Sequence, residues 1–371
     1  MPVDHFEGPP PRLRLGCRLL GVRTGVRSEQ LLIDARARTT GESGPLGSRK
    51  PLSAVADAAS FDAVEFGIYV PQIVSEYTPL LDLAHTAERT GFTNFWLFDH
   101  LWSPGLPEHP SLEAWTTATA LLAGTTTLRV GALVLCNNFR HPVVLGRMAT
   151  TLDVISGGRL EFGLGSGSIR DEHLQAGLPW GPAGERSERL GEALEIITSM
   201  FARERTSFDG KHYQVSDVAS VPRPVQSPRP PIHLGGVGPK YTLPLVARYA
   251  DVWNIPTYGL PDYQRSTELL EAECLRVDRD PASIRRSHQA ILAIAENERD
   301  LPEVQARARR HYGAEAFALD EGYVGTPAML VDRLAERAEQ GIDSVIFMVG
   351  AKQAAATMEL FAAEVMPHIP G

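Results

Sequence analysis

The sequence has few cysteines, no excess of basic residues and no long apolar run. Its 371 residues include only Cys17, Cys136 and Cys274, too few and too widely spaced for a disulfide framework or a cysteine-based zinc site. We therefore expect a reducing, cytoplasmic environment. The 36 basic against 45 acidic side chains disfavour nucleic-acid binding. No run of 18 apolar residues is present, so no transmembrane helix is expected.

Several catalytic motifs are also missing. No His-Glu-x-x-His sequence occurs, which disfavours a zinc metalloprotease. The Gly165-Ser166-Gly167 triplet has the wrong spacing for the nucleophile turn of an α/β-hydrolase. The same segment departs from Gly-x-Gly-x-x-Gly, which weakens a Rossmann interpretation.

The first 60 residues differ in composition from the rest. They hold nine basic and six acidic side chains, whereas residues 61–371 hold 27 and 39. The early segment has no sustained apolar period and no apolar core of a secretory signal. We expect residues 1–60 to be a disordered N-terminal extension and residues 61–371 to be the folded domain.

From residue 64 onward, short apolar runs alternate with helical patterns. About eight such runs, nearly each followed by a helix, predict a (β/α)8 TIM barrel with insertions; a doubly wound sheet is the alternative. A hairpin is expected around Phe208–Tyr213 and a helical insertion at 301–322. The predicted strands are 64–70, 94–98, 128–135, 159–164, 231–234, 251–255, 290–295 and 342–349.

Polar and glycine-rich residues follow several predicted strands, where a barrel places its chemistry. Asp99-His100 can handle protons or bind a polar cofactor, and Cys136-Asn137 follow the third strand. Two glycine-rich turns allow a phosphate to approach the backbone closely. These turns contain Gly165, Ser166 and Gly167, and Gly235, Gly236 and Gly238.

Residues 64–366 resemble the luciferase-like monooxygenase superfamily, and most closely its deazaflavin-dependent class. The matching segments are Phe98-Asp-His-Leu101, Phe139-Arg-His-Pro142, Thr151–Leu160, Gly163–Gly167, Phe208-Asp-Gly210, Pro230–Gly236 and Ala250–Asn254. The resemblance implies a TIM barrel that binds coenzyme F-420, an 8-hydroxy-5-deazaflavin, or alternatively FMN. Asp99-His100-Leu101 is similar to the deazaflavin class, whereas FMN-using relatives often have Glu-His-His there.

The resemblance also implies roles for particular residues. Asp99 and His100 would lie near the reactive face of the coenzyme. A non-proline cis peptide at Leu133–Val134 would lie behind its ring. The cofactor-binding set it implies comprises Leu133, Val134, Cys136, Asn137, Gly165, Ser166, Gly167, Asp171, Gly235, Gly236 and Gly238.

Three functions remain open at this stage. The first is hydride transfer between the deazaflavin and an unidentified small organic substrate. The second is an FMN monooxygenase supplied by a partner reductase, and the third is a non-catalytic flavin-binding barrel. A homodimer is also left open.

Two positions depart from the family pattern. Ser168 stands where deazaflavin-dependent glucose-6-phosphate dehydrogenases have a glutamate, which argues against a sugar-phosphate substrate. His173 follows Glu172 where an aromatic residue is usual. It is interpreted either as a substrate-pocket residue or as a surface histidine.

Overall fold

The computed structural model of the protein describes residues 64–312 and 322–369. This part of the chain alternates strands and helices. The strands are β1 Glu65–Tyr69, β2 Asn94–Leu97, β3 Arg129–Cys136, β4 Leu160–Gly165, β5 Arg205–Asp209, β6 Gln214–Ala219, β7 Ile232–Gly235, β8 Val252–Pro256, β9 Arg285–Ile294, β10 Tyr323–Gly325 and β11 Ser344–Met348. The α-helices are α1 Thr78–Arg89, α2 Ala114–Gly124, α3 Pro142–Ser156, α4 Arg170–Gln175, α5 Ala183–Ala202, α6 Thr242–Tyr249, α7 Tyr263–Arg276, α8 Leu301–Tyr312, α9 Pro327–Glu339 and α10 Ala351–Glu364.

Eight parallel strands close into a barrel. Their order is β1, β2, β3, β4, β7, β8, β9 and β11, and β11 pairs with β1 to complete the circle. The short strand β10 pairs in parallel with β9 outside this ring. The predicted (β/α)8 barrel with insertions is therefore confirmed, and the open doubly wound sheet is excluded by closure.

The predicted strands agree with the structure apart from their ends, with one larger difference. Strand β9 begins at Arg285, five residues before the predicted start at Ala290. Its first half is polar, and apolar patterning could not reveal it. Arg285 is accommodated there by ion pairs with Glu65 and Asp343, at 2.9 and 3.5 Å.

Alternation of side chains along the strands separates two apolar regions. Residues such as Ile68, Phe95 and Phe162 point outward and pack against the surrounding helices in the main core. A smaller cluster that includes Trp96 and Leu133 fills part of the barrel interior. The barrel is thus packed on both faces, as buried parallel strands require.

Side-chain caps determine where helices α2 and α3, on either side of β3 in the chain, begin. The Glu113 carboxylate accepts the N–H groups of Trp115 and Thr116 at the start of α2. His141 caps the start of α3 at Pro142, and Gly157, in the left-handed conformation with φ of 66°, caps its end after Ser156. These local signals fix the two helices that flank β3.

The predicted hairpin and the first part of the predicted helical insertion are both present in the described residues. Strands β5 and β6 form the predicted hairpin, and the Gly210 N–H donates to the Tyr213 carbonyl across its turn. Helix α8 covers the first part of the predicted helical insertion, and residues 313–321 lie outside the described residues. The expected N-terminal extension, residues 1–60, also lies outside them. No helix of the described segments has the length and apolarity needed to span a membrane.

Candidate active site

A cavity of about 800 Å³ opens at the carboxyl ends of the barrel strands. It collects residues from the ends of β1, β2, β3, β4, β7, β8 and β9, as the barrel architecture requires. The following predicted site residues line it: Asp99, His100, Leu133, Val134, Cys136, Gly165, Ser166, Gly167, Gly235, Gly236 and Gly238. The structure thus brings eleven of the thirteen predicted residues to one place.

Two predicted residues lie elsewhere. Asp171 points away from the cavity; its side chain is 77% exposed and lies 3.6 Å from Arg170. Asn137 is buried beside the cavity, where its amide donates to the Tyr213 hydroxyl at 3.3 Å. Neither residue lines the cavity.

The peptide bond between Leu133 and Val134 is cis, as the resemblance implied. Both residues line the cavity and lie within β3, where the pairing with β4 shifts register between Ala132 and Leu135. On β4, Gly165 faces this bulge. A Cβ atom at Gly165 would lie 2.6 Å from Val134 Cγ2, so only glycine fits beside the bulge without displacement.

Asp99 is held by Arg140 and does not contact the His100 ring. Its two oxygens accept from the Arg140 guanidinium at 2.7 and 3.0 Å, and Oδ2 also accepts the Cys136 N–H at 2.8 Å. Arg140 in turn donates to Glu113 at 2.6 Å. Asp99 therefore pairs with Arg140 and, through Oδ2, also holds the end of β3.

The partner of His100 is Glu172, which lies on α4. The His100 Nδ1 atom is 3.0 Å from Glu172 Oε2, and the other carboxylate oxygen accepts the Leu101 N–H at 2.5 Å. Both residues line the cavity, and the Glu172 side chain is only 3% exposed. Sequence reasoning noted Glu172 as part of a family pattern but assigned it no role.

His173 is buried in the cavity wall, so the surface interpretation is wrong. Its Nδ1–H donates to the Ile169 carbonyl at 2.7 Å, and Nε2 lies 3.4 Å from Cys136 Sγ. The Trp180 ring meets the imidazole edge to face, with 4.7 Å between ring centroids. Burial raises the pKa of the Cys136 thiol to about 12, so this cysteine is a neutral wall residue and not a nucleophile.

Two glycine-rich turns, after β4 and after β7, also line the cavity. Gly167 and Gly236 have φ angles of 85° and 110°, in the region that glycine adopts without strain. The Gly238 carbonyl accepts the N–H groups of Thr242 and Leu243 at the start of α6. The backbone of both turns is thus available to approach an anionic group closely, with the Thr242 hydroxyl nearby.

The cavity also contains polar residues that the sequence motifs did not indicate. Among them are Tyr69, Asn254 and Gln289, which lie on β1, β8 and β9. Burial raises the pKa of Tyr69 far above its ordinary value, so its hydroxyl stays neutral. Their inward positions follow from strand alternation once the strand ends are known, and that is the signal that could have located them.

The closed barrel with its carboxyl-terminal cavity is typical of (β/α)8 enzymes that bind a phosphate-bearing ligand. Comparison with known proteins identifies the family within this class of barrels. The sequence profile of the luciferase-like monooxygenase family matches residues 59–344. The chain belongs to this family.

Several related sequences are named as F-420-dependent dehydrogenases. One is an F-420-dependent glucose-6-phosphate dehydrogenase of Microbacterium testaceum, 37% identical over 52% of this chain and 56% of that protein. Another is an F-420-dependent hydroxymycolic acid dehydrogenase of Mycobacterium tuberculosis, 26% identical over 64% of each chain. The matches thus cover between about half and two thirds of these relatives.

Solved structures share the fold. A coenzyme F-420-dependent tetrahydromethanopterin reductase of Methanopyrus kandleri superposes with a TM-score of 0.67 at 21% identity, covering 83% of this chain and 99% of that one. An F-420-dependent secondary alcohol dehydrogenase gives a TM-score of 0.69 at 17% identity, covering 83% and 100%. At these identities the likeness concerns the fold alone.

Proposed function

We propose that this protein is an oxidoreductase that binds coenzyme F-420 in the cavity and transfers a hydride between the coenzyme and a small organic substrate. The observation that carries the proposal is the meeting of His100, the Leu133–Val134 bulge and two glycine turns around one cavity. The related dehydrogenases are named as F-420-dependent enzymes, which supports the choice of coenzyme.

The residues of the cavity fit such a coenzyme. Leu133 and Val134 offer an apolar surface for one face of a flat ring system. Gly235 and Gly236 leave backbone without side chains where a phosphate would approach. When bound, the deazaflavin supplies a ring carbon that accepts or donates a hydride. We therefore assign ring contacts to the bulge and phosphate contacts to the glycine turns.

His100 is the proposed proton donor or acceptor. Its Nδ1 atom is engaged by Glu172, which leaves Nε2 as the nitrogen that a substrate oxygen can meet. A histidine can take or give a proton near neutral pH, and that proton accompanies a two-electron hydride transfer. Asp99, the preceding residue, holds the end of β3 by accepting the Cys136 N–H and pairs with Arg140.

The assay follows the visible absorbance of the coenzyme. Oxidised F-420 is offered with a series of secondary alcohols, and reduced F-420 with ketones and enones. We expect absorbance changes that require the protein and a substrate. A sugar phosphate should be a poor substrate, because the resemblance places Ser168 where the glucose-6-phosphate dehydrogenases have a glutamate.

One alternative stays open, because the matching family is described as luciferase-like monooxygenases. It is an FMN-dependent monooxygenase supplied with reduced flavin by a partner reductase. A parallel assay with chemically reduced FMN and oxygen tests it through formation of an oxygenated product. Oxygenation by FMN without any F-420 reaction would replace the proposal. Binding of a coenzyme without activity in either assay would instead favour the non-catalytic flavin-binding barrel.

A further inference from the structure

We propose that Glu172 is a positioning residue that fixes the tautomer of His100. This proposal rests on the proposed function for its catalytic consequence, but its structural content can be tested without any coenzyme. The two residues are 72 positions apart in the sequence and meet across the mouth of the barrel. The arrangement consists of a buried carboxylate, a backbone N–H and an imidazole.

Both oxygens of the Glu172 carboxylate have defined partners. Oε1 accepts the Leu101 N–H at 2.5 Å, and Oε2 lies 3.0 Å from His100 Nδ1. A carboxylate can only accept hydrogen bonds, so the Nδ1 atom must carry the hydrogen. The neutral His100 ring is therefore the Nδ1–H tautomer, with the lone pair on Nε2.

The short helix α4 holds Glu172 in this orientation. His173, the next residue, is fixed by its bonds to the Ile169 carbonyl and toward Cys136. Asp171, the preceding residue, points to solvent with 77% of its side chain exposed. Because its neighbours point in opposite directions, the helix cannot rotate without exposing His173, and Glu172 stays directed at the loop after β2.

Two effects on the reaction follow. The Nε2 lone pair can accept a hydroxyl proton from a substrate without a prior change of tautomer. The imidazolium that forms then lies beside a carboxylate that is shielded from water, which stabilises its charge. Glu172 contacts neither substrate nor coenzyme in this scheme and acts only through His100.

The test uses Glu172→Gln. The Leu101 N–H needs an acceptor, so the amide oxygen of glutamine should remain there and its NH2 group should face His100 Nδ1. An NH2 group donates, so Nδ1 must become the acceptor and the hydrogen must move to Nε2. The substitution therefore reverses the tautomer of His100, while the side chain at position 172 keeps nearly the same shape.

Nitrogen-15 NMR of the histidine rings in the coenzyme-free protein measures this reversal, and the His100 signals are identified by their loss in His100→Ala. We expect Nδ1–H in the wild type and Nε2–H in Glu172→Gln. In the F-420 assay, kcat should fall by about 10²-fold or more, with KM changed only a few-fold. Glu188→Gln is the matched control, because Glu188 pairs with His212 on the exposed side of α5. It should alter neither the His100 signals nor kcat.

Two results would overturn the proposal. One is a wild-type His100 that carries its hydrogen on Nε2, a measurement that needs no variant to fold. The other is a folded Glu172→Gln protein with unchanged His100 tautomer and unchanged kcat. If the wild type reacts with no F-420 substrate pair, the proposed function fails, whereas the NMR result still decides the position of the hydrogen.

Discussion

Asp99 and His100 are adjacent in the sequence, yet they bind different partners. Asp99 holds Arg140 and the Cys136 N–H, whereas His100 pairs with Glu172. The strand-end position of both residues could be predicted from the apolar run that precedes them. Their partners could not, because Arg140 and Glu172 are distant in sequence and no periodicity connects them.

Replacing His100 by alanine should remove the proton-handling group but leave the coenzyme contacts intact. We expect kcat for F-420-dependent turnover to fall by about 10²–10⁴-fold, the usual scale for general acid–base catalysis. The affinity for the coenzyme should change only a few-fold, since its phosphate contacts are assigned to the glycine turns. Steady-state kinetics and coenzyme titration measure both quantities. An unchanged kcat would remove His100 from the mechanism.

Replacing Arg140 by methionine should destabilise the protein strongly. The Asp99 side chain is 3% exposed and would lose the cation that pairs with it. Breaking a buried ion pair on one side typically costs about 3–5 kcal/mol of unfolding free energy. Urea denaturation measures the loss, and the double variant Asp99→Asn/Arg140→Met should recover part of it. If Arg140→Met is as stable as wild type, the Asp99–Arg140 ion pair does not stabilise the end of β3.

At the scale of elements, the apolar strands were predictable and the polar ones were not. Strands such as β1 and β4 are mostly buried and apolar, with one glutamate each, and sequence patterns reveal them directly. The start of β9 escaped because its arginines are neutralised by partners on other elements. Likewise, the sequence pattern does not reveal that Gly236 has a φ of 110°, where a valine would be strained.

Gly235 offers a cleaner test of the phosphate contact than Gly236. A Cβ atom at Gly235 would have Asn254 Oδ1 as its nearest neighbour, at 3.6 Å, which is ordinary contact. Gly235→Ala should therefore keep the melting temperature while weakening F-420 binding by steric exclusion of a phosphate. Calorimetry and coenzyme titration provide the two readings.

Gly165→Ala is the comparison for this prediction. Its Cβ would lie 2.6 Å from Val134 Cγ2, so this variant should lose stability even without coenzyme, by about 1–3 kcal/mol for overpacking. Unchanged affinity in Gly235→Ala would show that the phosphate binds at another place.

At the scale of the whole molecule, two buried groups should make stability fall in acid. Burial alone would raise the pKa of Glu161, but Arg129 and His233 hold it at about 2. Burial, with a smaller effect of Arg337, lowers the pKa of His288 to about 3. Both values lie below the ordinary ones, so unfolding takes up protons. Stability should be complete above pH 6.5 and be lost as pH falls, first through His288 and below pH 4.5 also through Glu161.

Urea denaturation at a series of pH values measures this dependence. Each group contributes a slope of at most about 1.4 kcal/mol per pH unit. His288→Gln should flatten the curve between pH 6.5 and 4.5, where Glu161 contributes little. The exposed residue His85 provides the control variant His85→Gln, which should leave the curve unchanged. A His288→Gln curve parallel to that of the wild type would contradict the assignment.

Residues 1–60 should be dispensable for the barrel. They have no apolar period and a charge balance opposite to that of the rest of the chain. We expect deletion of this segment to leave both the melting temperature and F-420 affinity unchanged. Thermal unfolding and titration of the shortened protein provide the check, and a loss of several degrees would show that the segment contributes to the folded barrel.

The central claim is that the barrel cavity selects a deazaflavin coenzyme, and equilibrium binding tests it most directly. Purified wild-type protein and Gly235→Ala are titrated in parallel with F-420 and with FMN, with coenzyme fluorescence as the signal. The account predicts tighter binding of F-420 than of FMN by the wild type, and weaker F-420 binding by Gly235→Ala. Saturable binding of FMN without binding of F-420 would contradict it.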